Sequence, residues 1–271
     1  MNLTFIIPSR LESEDRERNM ITILINLLSK FDAVVRVKEC DFSPKFEENV
    51  LPHIKNKFGK VPSNLFFTYE KQQSTFFHKT KILNDLIEES DTEIICNYDT
   101  DVLLPDTSIM LAYDMIKTGY SDAVYPYGCG AYQKAVTYTP QTFEKFIDSD
   151  FNLNQLDSFS SKSSSTIGWC QFIRRENYIN SYMMNENFHA WGPEDCELYY
   201  RLNVMGNKVD RVNDYVYHLE HQRSNDSWFS NPSWMQNMQL WEWIRKQTKQ
   251  TLIEYYKNQD YVKRRNINAS I

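Results

Sequence analysis

The chain has 271 residues, a mass of 32.3 kDa, a formal net charge of -6 and a pI near 5.5. That length allows one large α/β domain, or two small ones, with a sizeable core, and the acidic balance argues against a nucleic-acid-binding stripe. A mean hydropathy of -0.58, with no apolar run near the roughly 20 residues that cross a bilayer, excludes a membrane-spanning helix and leaves at most peripheral membrane contact.

Leu3 to Pro8 is an apolar run with no basic segment before it, so it predicts a core strand and not a signal peptide. Met20, Ile21, Ile23, Leu24, Leu27 and Leu28 follow at helical spacing. Ala33 to Val37 alternates and is β-branched, which predicts a second strand ending at Glu39-Cys40-Asp41. Leu65 to Tyr69 is a third. Phe76 to Ile87 reads as a helix with Ile82, Leu83, Leu86 and Ile87 on one face, and Glu93 to Tyr98 as the next strand. Asp106 suits the cap of a helix running to about Thr118, with Gly119 at its C-cap. Strands alternating with helices predict a mostly parallel sheet of Rossmann-like type. Ligands bind such sheets outside the carboxyl ends of the strands. Pro8-Ser9-Arg10, Glu39 to Asp41 and Asp99 to Asp101 all fall at such ends.

The second half is less regular. Ser158 to Thr166 reads as a polar loop suited to a lid. Pro193 to Met205 predicts a helix, with Pro193 in its first turn. Lys208 to Val212 and Tyr215 to His218 predict short strands, and Met235 to Tyr256 one long helix. The basic tail Lys263-Arg264-Arg265 is expected to fray. The five cysteines form no Cys-x-x-Cys, which predicts reduced thiols, a cytosolic protein and no zinc knuckle.

Two clusters can carry chemistry. Asp99 and Asp101, two residues apart at a strand exit, suit a divalent cation. His221, and His218 with it, can add imidazole nitrogen, and such a mixed set suits Mn²⁺ (or Mg²⁺) better than Ca²⁺. The plainer alternative makes the two aspartates turn caps and His218 a packed strand residue. The second cluster is Trp191-Gly192-Pro193-Glu194-Asp195. Acids at a helix start are favoured by the dipole alone. Beside a sugar hydroxyl, however, Asp195 can act as general base, Glu194 can bind the acceptor, and Trp191 can offer an apolar face.

In sequence order these features resemble the metal-dependent, inverting GT-A glycosyltransferases related to β-1,4-galactosyltransferases and bacterial chondroitin-polymerase modules. That family carries Trp-Gly-Gly-Glu-Asp followed by an acidic, aromatic helix ending in Arg-Leu. This chain has Trp191-Gly192-Pro193-Glu194-Asp195, continuing to Arg201-Leu202. Phe77-His78-Lys79-Thr80-Lys81-Ile82-Leu83-Asn84 matches the helix preceding the family's Asp-x-Asp strand. Pro8-Ser9-Arg10 matches its Pro-x-Arg, Asp99 to Pro105 its Asp-x-Asp with an apolar pair and proline, and His221 its closing histidine. The resemblance covers roughly residues 3 to 223.

The resemblance implies an α/β GT-A fold with a mostly parallel central sheet over residues 1–225, nucleotide-binding to about 105 and acceptor-binding beyond. Residues 226–271 would form a C-terminal helical extension on the same domain. It implies Asp101, His221 and His218 as metal ligands, Asp195 as the catalytic base, and Glu194, Trp191 and Trp169 at the acceptor. Pro8, Arg10, Asp41, Lys79, Asp99 and Gly168 would serve the nucleotide-sugar donor, with Gly168 allowing close approach of the sugar. Pro193 replaces a glycine and stiffens the loop, and Lys79 replaces an arginine, which weakens a bidentate phosphate contact. The expected reaction moves a sugar from a UDP-sugar to a saccharide or glycan-carrier hydroxyl, in the cytosol, for a bacterial surface polysaccharide. A nucleotidyltransferase is a rival, but Pro8-Ser9-Arg10-Leu11-Glu12 lacks the glycine-rich loop it would need. A non-catalytic sugar- or nucleotide-binding module of the same fold is another. Trp228, Trp234, Trp241 and Trp243 can form an acceptor platform or a dimer face, or simply pack a helix onto its own domain.

Overall fold

The computed structural model describes residues 1–162 and 166–267. In chain order the strands are β1 (Leu3–Ser9), β2 (Val34–Asp41), β3 (Leu65–Lys71), β4 (Ile94–Tyr98), β5 (Val102–Leu103), β6 (Ala123–Tyr125), β7 (Gln133–Val136), β8 (Ser160–Lys162), β9 (Cys170–Arg174), β10 (Val209–Arg211) and β11 (Val216–Leu219). The α-helices are α1 (Glu14–Lys30), α2 (Leu51–Phe58), α3 (Lys79–Glu88), α4 (Asp106–Lys117), α5 (Pro140–Asp148), α6 (Asn154–Asp157), α7 (Arg175–Asn180), α8 (Glu194–Met205), α9 (Trp234–Ile244), α10 (Lys249–Lys257) and α11 (Asp260–Arg264).

The main sheet has the order β10-β6-β9-β4-β1-β2-β3. β1 lies parallel to both β2 and β4, and only β9 runs against its neighbours β4 and β6. Every residue of β1 is buried, as an apolar run covered on both faces should be. The turn into α1 is fixed by Ser13, whose side chain accepts a hydrogen bond from the Arg16 backbone N–H, with Glu14, Asp15 and Glu17 in the first turn. A second sheet, β5-β11-β7-β8, forms beyond the carboxyl end of β4. The mixed α/β architecture with a largely parallel sheet is thus as expected.

Several sequence expectations are corrected. The helix predicted from Phe76 begins only at Lys79, and Asp106 does not cap α4. Pro105 occupies that cap, and the Asp106 carboxylate pairs with Lys30 instead. Pro193 likewise sits at the cap of α8 and not inside it. Ser160 to Lys162, expected in a lid loop, pair with β7 as an edge strand, while the remainder of that expected loop at 163–165 lies outside the described residues. The single helix predicted over Met235 to Tyr256 is two, because Thr248 takes an extended backbone and caps α10 by accepting from the Thr251 N–H.

The basic tail does not fray. Arg265 pairs with Asp85 at 2.5 Å, with Glu186 at 2.7 Å and with Glu88, and Arg264 pairs with Glu186 at 2.6 Å. Charge composition suggested a solvated end, but these arginines face acids of α3 and of the 185–187 turn. The C-terminal helices bury Ile244, Leu252, Tyr256, Tyr261 and Val262 against Tyr182, Phe188 and Met205. Beneath them Arg201 is fully buried and held by Glu197 at 2.6 and 3.0 Å. The Tyr256 hydroxyl donates to the same carboxylate. The side chain of Trp228 lies outside the described residues.

Candidate active site

The chain leaves β4 through Asp99-Thr100-Asp101 and at once joins the second sheet as β5. There Val102 is paired with His218 and Leu103 with Tyr217, and the Leu219 N–H donates to the Asp101 carbonyl at 2.7 Å. This register sets Asp101 beside two histidines more than a hundred residues away in sequence. His221 Nε2 lies 2.9 Å and His218 Nε2 3.8 Å from Asp101 Oδ2. The three donor atoms lie within 4.8 Å of one another.

This trio fits a divalent cation. Asp101 Oδ1 is buried with no hydrogen-bond partner, an orphan of the kind an ion satisfies. The His221 Nδ1 lies 2.9 Å from the Gln222 carbonyl, a partner that turns the Nε2 edge of the ring toward Asp101. Burial opposes charge on Asp101, but His218 and His221 outweigh it and hold the carboxyl well below its usual range. Burial keeps the His218 imidazole below its usual range. An ionised carboxylate beside a neutral imidazole is the state in which both bind metal. Trp169 stacks on His218, ring centroids 5.3 Å apart and planes at 17°, and fixes its orientation.

The second cluster surrounds the start of α8. Asp195 and Glu194 are joined to the Asp99 loop through Lys79, the first residue of α3. Its Nζ lies 2.9 Å from Asp99 Oδ1 and 3.9 Å from Asp195 Oδ2. Burial opposes the Lys79 charge, yet Asp195 and Asp99 hold the ammonium well above its ordinary value. Gln171 Nε2 donates to Asp195 Oδ1 at 3.3 Å. Burial raises the Asp195 carboxyl above its ordinary value despite Lys79 and Gln171, which makes it a stronger base. Glu194 is pushed well above the carboxylate range, first by burial and then by Asp195. Its Oε2 is buried without a partner. Gly168 faces Asp195 at φ +117°, and its N–H donates to the Tyr127 hydroxyl at 3.1 Å.

The other expected donor residues sit at the carboxyl ends of β1 and β2. Pro8 is buried within β1. Asp41 accepts from the Leu11 N–H at 3.1 Å and the Phe42 N–H at 2.7 Å, tying the two strand ends together. Arg10 makes a two-pronged pair with Asp226 at 2.9 and 2.6 Å, and the Phe77 N–H donates to the same carboxylate at 2.9 Å. Trp191 is 40% exposed and stacks on Trp234. Sequence reasoning missed Asp226, Gln171 and Tyr127. Asp226 lies in an aperiodic polar stretch, Gln171 within β9 and Tyr127 just past the end of β6, and nothing in the neighbouring sequence marks any of them.

A family profile described as the N-terminal domain of galactosyltransferase matches residues 154–222. That span holds Gly168, Trp169, the Trp191 to Asp195 loop, His218 and His221. No curated protein matches the chain. Among solved structures, S. aureus TarS (residues 1–349) in complex with UDP-GlcNAc aligns over 93% of this chain and 69% of that one, at 15% identity and a TM-score of 0.59. GalNAc-T7 with UDP, GalNAc and Mn²⁺ aligns over 82% of this chain and 43% of that one, at 12% identity and a TM-score of 0.55. This chain has the GT-A glycosyltransferase fold. Open α/β sheets bind ligands outside the carboxyl ends of their parallel strands, and the Asp99 to Asp101 loop lies at such an end.

Proposed function

We propose that this protein is an inverting, metal-dependent glycosyltransferase that moves a sugar from a UDP-sugar to a glycan hydroxyl. The carrying observation is the convergence of two clusters at the end of β4: the Asp101, His218 and His221 donor atoms, and the Glu194–Asp195 pair, whose Asp195 is joined to the same loop by Lys79. The galactosyltransferase profile over residues 154–222 and the UDP and Mn²⁺ in GalNAc-T7 support the same reading.

Asp101, His218 and His221 would hold Mn²⁺ or Mg²⁺. Bound there, the ion neutralises charge on a leaving diphosphate. Asp195 takes the proton of the acceptor hydroxyl as that oxygen attacks the anomeric carbon. The new C–O bond forms as the bond to the diphosphate oxygen breaks, and that electron pair leaves with UDP. Attack opposite the leaving group inverts the centre. Glu194, protonated more readily than an ordinary carboxyl, hydrogen-bonds the acceptor. Trp169 and Trp191 offer apolar faces to the sugar rings. Lys79 can exchange Asp99 for a phosphate oxygen, and Arg10, Pro8 and Asp41 border the nucleotide end. A glycan of a bacterial surface polysaccharide is the acceptor class that fits, and five free cysteines suit the cytosol.

Calorimetric titration of UDP into the protein, with and without Mn²⁺, tests this. Manganese-dependent binding that disappears in Asp101→Asn is the expected result. A wild-type protein that binds no UDP in either condition overturns the UDP-donor reading.

A further inference from the structure

The loop that leads into α8 is fastened to the start of α9. Asn231 Nδ2 donates to the His189 carbonyl at 2.9 Å and to the Trp191 carbonyl at 2.6 Å, and Asn237 Nδ2 donates to the same two carbonyls at 2.8 and 3.1 Å. Both asparagines are buried. A Cβ on Gly192 would come within 2.7 Å of Asn237 Nδ2, so a larger residue there would have to displace the Asn237 side chain that makes these bonds. Four hydrogen bonds on two carbonyls hold Trp191 at a fixed place relative to Trp234.

On this frame sits an aromatic ledge open to solvent. Trp191 and Trp234 stack with centroids 5.0 Å apart and planes at 29°, and Phe229 meets Trp234 edge-on at 5.1 Å and 80°. Phe229 is 76% exposed, Met235 64% and Trp191 still 40% despite its stack. Core packing does not account for rings this open, and contiguous exposed apolar surface of this kind marks an interaction site. The sequence beneath it is equally telling. The 15 residues from Ser227 to Trp241 contain no Asp, Glu, Lys or Arg, in a chain that is 24% charged. Serine, asparagine and glutamine take their place.

Planar rings flanked by amides and hydroxyls, with no charge, match a neutral carbohydrate: the C–H face of a pyranose lies on the ring while its hydroxyls reach the polar rim. An anionic lipid surface would instead call for lysine and arginine. The ledge is continuous with the segment that carries the acid pair, since Trp191 precedes Glu194 by three positions. We propose that Phe229, Trp234 and Trp191 form a subsite for a neutral oligosaccharide, binding the acceptor sugars that precede the reacting unit. This rests on the glycosyltransferase reading for the word acceptor, though not for the binding itself. The protein would therefore prefer a chain of sugars over a single one.

Saturation-transfer NMR tests it with chitotetraose, cellotetraose and β-1,4-galactotetraose, each against its monosaccharide. UDP titration with Mn²⁺ is run on the same samples. The expected result is binding of at least one tetrasaccharide in preference to its monosaccharide. Phe229→Ala and Trp234→Ala should each weaken it by roughly tenfold, the worth of one stacked ring, with UDP binding unchanged. Phe229 is so exposed that its truncation leaves the fold intact, which keeps the test sound if Trp234→Ala does not fold. Equal binding by Phe229→Ala and wild type overturns the proposal, as does a wild-type protein that binds none of the tetrasaccharides. Sedimentation showing a dimer that Phe229→Ala dissociates also overturns it, because a second copy would then cover the ledge. Loss of UDP binding in the wild type counts against the donor reading alone and leaves the sugar result to stand or fall separately.

Discussion

The Asp195 carboxylate lies against the bare α-carbon of Gly168, in space that a Cβ on Gly168 would have to enter. The resemblance had given this glycine to the incoming sugar. The contact found is with the proposed base itself. The glycine clears room for the carboxylate, and the Tyr127 hydroxyl holds the glycine in place. Gly168→Ala must displace Asp195 and also strain a backbone at φ +117°. We expect UDP release from a UDP-sugar to fall roughly 100-fold, as misplacement of a catalytic group does, with a stability loss of about 1–3 kcal/mol. Calorimetry should find UDP binding with Mn²⁺ within about threefold of wild type. Unchanged turnover would show that Asp195 is not the base.

Removing the base and removing a metal ligand should separate cleanly. Asp195→Asn is expected to cut kcat by roughly 10²–10⁴ while leaving UDP affinity alone. Asp101→Asn, or chelation of the wild type with EDTA, should abolish UDP binding as well as turnover. The check is a UDP-release assay beside calorimetry for each variant. Loss of both properties in Asp195→Asn would move that residue to donor binding.

The C-terminal tail should matter for stability. Arg265 is 6% exposed at its side chain and faces Asp85, Glu88 and Glu186. Arg265→Ala leaves the buried Glu186 with Arg264 as its remaining ion-pair partner, and should cost about 3 kcal/mol, the low end for breaking a buried pair. Chemical denaturation measures it. A change within 0.5 kcal/mol, the usual range for exposed positions (~0.5), would return the tail to the frayed state its composition suggests.

The same cluster gives stability an acid limit. Burial raises the Asp85 carboxyl, but hydrogen bonds from Lys38 and Arg265 outweigh it and set its pKa at about 2. An unfolded aspartate titrates near ~3.9. The folded value is the lower one, so the contribution is complete above about pH 4 and is lost as pH falls from there through about 2. Denaturation midpoints at pH 6, 4 and 3 should decline in the wild type and decline less in Asp85→Asn. Parallel curves for the two proteins would remove Asp85 as the source.

Much of the fold could be read without coordinates. Strands β1 and β4 announce themselves as runs buried on both faces, which must be largely apolar, and β2 and β3 by β-branched and aromatic residues that give way to polar ones. The short strands β7 and β8 were not legible: Gln133 to Val136 and Ser160 to Lys162 are mostly polar, and only pairing makes them strands. The split between α9 and α10 was hidden for a related reason. Ile244 and Leu252 are eight residues apart, a spacing that one continuous helix would also give, and the Thr248 cap within the seven polar residues between them is a single local hydrogen bond.

The sequence by itself determined the chemistry available to this protein: carboxylates at the exit of β4, an acid pair at the start of α8, two histidines three residues apart. Side-chain type and local spacing are enough for that, since a strand end or a helix start is a local property. Only the tertiary structure decided who meets whom. The pairing of β5 with β11 brings Asp101 to His218 and His221, Lys79 joins Asp99 to Asp195, and Asp226 takes Arg10. Those contacts are set by register and by crossing chain segments, and no spacing along one strand or helix encodes a partner on another.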